Sequence, residues 1–140
     1  MTPATRGGIA GAVAATAWTF CDPLLQLAFG TPYADAELLG PFITQGRLEP
    51  LADLVTHAAG GFAFGWAFGR LGGRGVRDGV VAALAENTAL WPALAIVDRI
   101  HPKRRSGEWP PLVGNPRVFA QATAGHAIFG VFLGLLNERV

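Results

Sequence analysis

Residues 57–65 read HAAGGFAFG, and residues 126–134 read HAIFGVFLG. Both follow the pattern H-A-x-x-G-x-x-x-G, so each histidine and its two glycines fall at i, i+4 and i+8, on one stripe of a helix. Each copy sits inside a mostly apolar run. A bilayer core about 30 Å thick needs roughly 20 such residues per helix. Four runs have that length, at 8–29, 51–71, 79–100 and 118–136. The expected fold is an all-α integral membrane protein with four transmembrane helices, forming a single domain over residues 1–140.

The first and third runs also begin alike. RGGIAGAVAAT from Arg6 lines up with RDGVVAALAEN from Arg77, and each run then reaches a late proline, Pro23 or Pro92. This pattern predicts one helical hairpin used twice, over residues 6–71 and 77–136. Spans one and three run the same way, so the repeats are parallel and related by an axis along the membrane normal. The duplicated histidine–glycine pattern resembles that of small four-span bacterial membrane proteins, a resemblance that implies no activity.

Composition agrees with a membrane class. The 140 residues are 51% hydrophobic and only 15% charged, against about 25% charged in soluble domains. Such hydrophobicity excludes disorder, and a single cysteine, Cys21, excludes a disulfide framework. A net charge of +1 gives no field for nucleic acid. The expected partner is the lipid bilayer of the cell membrane, with further copies of the chain or a larger membrane complex. The apolar stretch after Arg6 has no small-x-small cleavage site and reads as a retained span. Basic residues divide five against six between the two sides, which leaves orientation unassigned.

The segments between runs read as loops: 30–50 with three prolines, a tight turn at 72–78, and a basic, proline-rich stretch at 101–117. Residues 35–39 fit an amphipathic turn in the membrane interface. Trp109 reads as an interface anchor or as local packing. Lys103, Arg104 and Arg105 face anionic headgroups or water.

Gly61 and Gly65, with Gly130 and Gly134, are the expected packing seams. Small residues at this spacing let backbones touch, either between spans two and four or between protomers. Four ionisable groups lie inside the runs: Asp22, His57, Glu86 and His126. A rise of about 1.5 Å per residue puts Asp22 and His57 both at roughly 20 Å depth, with Glu86 and His126 at roughly 12 and 15 Å. Two acid–histidine pairs are therefore expected. Each would satisfy groups that are costly in hydrocarbon and form a proton site; the alternative is bonding to backbone or water. Asp53, one turn before His57, either orients its imidazole or is solvated at the membrane edge.

His57 and His126 also fit a haem alternative as axial ligands, although their heights differ. No cofactor is otherwise expected, because no ligand pair has metal spacing and no catalytic triad or phosphate-binding motif occurs. Three functions remain. The chain moves a proton or small polar solute through its acid–histidine pairs, or it is an accessory scaffold subunit. The third is a membrane enzyme acting on a lipid or isoprenoid, with Asp22 or Glu86 as general acid; non-enzymatic roles are favoured.

Overall fold

The computed structural model describes residues 1–139. Helix α1 (Pro3–Phe29) starts where Thr2 accepts the Thr5 N–H and Pro3 fills the first turn. It ends at Gly30, whose left-handed φ of 63° lets its N–H close on the Gln26 carbonyl. Pro23 lies within α1 without ending it. A 3₁₀ turn (Asp35–Leu38) and the short α2 (Gly40–Ile43) lead into α3 (Glu49–Arg70). A tight turn then begins α4 (Gly75–Leu90). Pro92 breaks that path with a 3₁₀ turn at Trp91–Ala93, and α5 (Leu94–Ile100) continues it. The one-turn α6 (Pro102–Arg105) and a loop precede α7 (Pro116–Arg139).

The protein is all-helical, with no strand among the described residues. Three stretches, Pro3–Phe29, Gly75–Ile100 and Pro116–Arg139, are long and apolar enough to cross a membrane. The 22 residues of α3 include four glycines together with Asp53 and His57, which make it less apolar. Its exposed positions nevertheless include Leu51, Val55, Phe62 and Trp66.

Glycine sets the helix pairing. Gly11 meets Gly61 and Gly7 meets Gly65, so α1 and α3 run antiparallel with backbones touching. The same device joins α4 to α7, where Gly79 meets Gly130 and Gly75 meets Gly134. A Cβ on Gly61 would lie 2.5 Å from the Gly11 carbonyl oxygen, and one on Gly130 would lie 2.6 Å from that of Gly79. The seams expected between spans two and four thus lie within each hairpin, because the partner stripes on α1 and α4 are also glycine. The two hairpins join where α1 packs on α7 through Ala14, Trp18, Phe129 and Leu133. Gly125 leaves room for the Trp18 indole there.

The segments read as loops build a second, smaller core at the end where α1 finishes. Tyr33, Trp109, Leu112 and Val118 are buried together. The Asp98 carboxylate accepts the backbone N–H groups of Leu112 and Val113 and the Arg104 guanidinium. Lys103 binds Glu37 at 2.6 Å and Glu49 at 3.1 Å, tying the segment after α5 to the start of α3. Two expectations change, for the basic cluster and for Asp53, and Trp109 follows its local-packing alternative. Trp109 is buried and stacks on His101 at 4.3 Å rather than anchoring in an interface. Lys103 and Arg104 are held in ion pairs rather than free for headgroups. Asp53 is buried against Gly40, neither solvated nor bonded to His57.

Candidate functional site

Between α3 and α4 the two hairpins part around a cavity of about 480 Å³. Ala15 and Trp18 of α1 and His126 and Phe129 of α7 contribute to its lining. One wall is α3, through Thr56, His57, Gly60 and Phe64; the other is α4, through Glu86, Asn87 and Leu90. Asp35, Leu38 and Phe42 contribute from the capping segments, while Phe64 and Phe129 stack edge to face at 5.4 Å. The lining is mainly apolar, with a few convergent polar groups, as in small-molecule sites. A single chain supplies this lining, and the cavity is open on one side.

Three of the four ionisable groups singled out in the sequence reach this cavity: His57, Glu86 and His126. His126 Nδ1 lies 2.8 Å from the Ala122 carbonyl, which can only accept, so Nδ1 carries a hydrogen. Its Nε2 faces Glu86 Oε2 at 3.5 Å. The expected pair of Glu86 with His126 is therefore present. A proton between Nε2 and Oε2 is the one this pair can exchange. The separation exceeds the roughly 2.7–2.9 Å of a charge-assisted hydrogen bond, and Glu86 retains 35% side-chain exposure. Its carboxylate is thus open to the cavity.

Asp22 and His57 do not meet. His57 Nδ1 lies 2.8 Å from the Thr19 hydroxyl, which in turn donates to the Ala15 carbonyl. With that hydroxyl proton committed, His57 donates from Nδ1 and presents Nε2 as an acceptor. Asp22 is buried, and its Oδ2 has no hydrogen-bond partner among the described residues. It lies one helical turn beyond Trp18 on α1.

Both imidazoles stand edge-on to the Trp18 indole, with centroids at 4.9 Å for His57 and 4.8 Å for His126. The indole occupies the space that an axially ligated macrocycle would need, so this histidine pair does not fit a haem. No group of three metal-ligating side chains occurs among the described residues.

Two contributors escaped the sequence pattern. Asp35 lines the capped end, and its Oδ1 accepts the Tyr33 hydroxyl at 2.6 Å. Burial, with the charge and hydrogen bond of Asp35, pushes the Tyr33 phenol well above its usual range, so it remains a neutral donor. Trp18 has an aromatic side chain in an apolar run, which gives no local signal of the two histidines it separates. Comparison with protein-family models, with curated proteins and with solved structures finds no match to this chain.

Proposed function

We propose that this chain is a four-span protein of the cell membrane that binds a small amphipathic molecule within the bilayer and exchanges a proton at Glu86–His126. One observation carries the proposal: His57, Glu86 and His126, from three helices, open on one largely apolar cavity. A purely scaffolding role leaves that cavity and the exposed Glu86 carboxylate without a purpose. The apolar lining favours a molecule with an apolar body over a small polar solute. Lipid-enzyme chemistry would rest on Glu86 alone as general acid, since Asp22 lies outside the cavity lining.

The outward Leu51, Val55, Phe62 and Trp66 support α3 as a fourth span. The duplicated hairpin is supported by its glycine contacts. Gly11–Gly61 and Gly7–Gly65 correspond to Gly79–Gly130 and Gly75–Gly134. In that register Gly11, not Gly8, matches Gly79, three residues from the alignment based on Arg6 and Arg77. The cavity needs only one chain, so association into oligomers is a separate property.

A diazirine analogue of 1-decanol tests the binding site in membranes containing the full chain. Expected labels fall on Phe64, Leu90 and Trp91 and disappear in Gly60→Leu. Gly60 lines the cavity and a Cβ there meets nothing within 4 Å, so a leucine has room to fill that space. Labelling confined to the outward Phe20, Leu24 and Leu27, and unchanged by Gly60→Leu, would refute the site.

A further inference from the structure

We propose that the ligand of this cavity is a lipophilic organic cation, with one positive charge on an apolar, largely aromatic body. This rests on the cavity being a binding site and adds the sign of the ligand's charge. Among the described residues no lysine or arginine lines the cavity, whereas two carboxylates do, Glu86 on α4 and Asp35 in the capping segment. The two imidazoles can at most balance these charges. With both histidines neutral the lining carries two negative charges, and with His126 protonated it carries one.

Neither carboxylate is neutralised elsewhere. Among the described residues Glu86 has only His126, at 3.5 Å, and Asp35 has the neutral Tyr33 hydroxyl. Two basic side chains of the cap are engaged away from the cavity, Lys103 by Glu37 and Glu49 and Arg104 by Asp98. The Asn87 amide is also occupied, donating to Thr123 at 3.1 Å. An anion would meet two carboxylates in a low-dielectric site, and a neutral molecule would leave Glu86 in apolar surroundings with little compensation. A cation supplies that compensation. Its apolar body meets Trp18, Phe42, Phe64, Trp91 and Phe129, and aromatic faces attract positive charge.

Tetraphenylphosphonium and tetraphenylborate are nearly equal in shape and opposite in charge, so the pair isolates the electrostatic contribution. Equilibrium dialysis against the full chain in an uncharged maltoside detergent, with empty micelles subtracted, gives saturable binding. Tetraphenylphosphonium should bind one site per chain at least 10-fold more tightly than tetraphenylborate. Gly60→Leu should remove the site. Glu86→Gln and, separately, Asp35→Asn should each weaken phosphonium binding several-fold, so the conclusion does not hang on one variant's folding. Equal or tighter borate binding, or phosphonium binding untouched by both carboxylate variants, would overturn the cation assignment. Cavity labelling by the decanol probe would stand in that case. Absence of saturable binding by either ion, with no cavity labelling, would overturn the binding site as well.

Discussion

Two neighbouring glycines on α3 should respond oppositely to the same added methyl group. At Gly60 a new Cβ meets nothing within 4 Å, whereas at Gly61 it lies 2.5 Å from both Ala15 Cβ and the Gly11 carbonyl oxygen. Ordinary carbon–carbon contact is about 3.5–4.0 Å, so α1 and α3 must part by about 1 Å to admit it. Overpacking of that kind costs about 1–3 kcal/mol. Gly60→Ala carries only the helix-propensity gain of about 0.5–1 kcal/mol. Gly61→Ala shares that gain, so the two variants should differ by the overpacking cost, about 1–3 kcal/mol, with Gly61→Ala the less stable. Reversible unfolding of the full chain in mixed micelles, titrated with a denaturing detergent and followed by near-ultraviolet circular dichroism, measures the difference. Equal stabilities of the two variants would refute the backbone-contact seam.

Glu86→Gln and His126→Gln should each destabilise or impair binding, and their double variant should show a coupling of about 0.5–3 kcal/mol. The Asp22–His57 cycle should be additive; strong coupling there would contradict the Thr19 hydrogen bond. His101 lies outside the apolar spans and is held below its ordinary value of 6.5 by burial, against a raising hydrogen bond with the Glu37 carbonyl; the nearby Lys103 charge also lowers it. The unfolded chain therefore binds this proton first as pH falls, so the His101 contribution is complete above about pH 6.5 and is lost below it. Melting midpoints of the parent should fall between pH 7.5 and 5.5 more steeply than those of His101→Gln, and parallel slopes would count against this role. Asp98→Ala should cost about 2 kcal/mol by removing a charged acceptor from two backbone N–H groups and Arg104. An unchanged midpoint would show that these hydrogen bonds contribute nothing net.

The helices were legible because their signals are local. Apolar runs at 8–29, 51–71, 79–100 and 118–136 fall within observed helical stretches apart from a residue at the end of α3 and the 3₁₀ break at Pro92. The two prolines looked equivalent in sequence, yet Pro23 sits inside α1 while Pro92 interrupts its helix, a difference set by surroundings. Glu86 and His126 were found from height alone. Asp22 and His57 were not, because depths counted from each helix start carry an error of about one turn, enough to replace Asp22 by Thr19. The cap was not legible. Tyr33, His101, Trp109 and Leu112 are brought together across up to 79 positions of chain, and proline-rich segments carry no periodic pattern from which to read such packing.

The glycine seams also determine where bulk resides. Within each hairpin the helices touch backbone to backbone, so the joint takes up almost no side-chain volume. Large side chains are left for the junction of α1 with α7 and for the cavity walls, as Trp18, Phe64 and Phe129 illustrate. Each hairpin is a thin slab, and two slabs meeting along one edge leave space on the other. A chain of 140 residues can thereby contain a chamber of small-molecule size. Bulkier residues in the seams would thicken the slabs and shift the walls of that chamber, even at positions far from anything bound inside it.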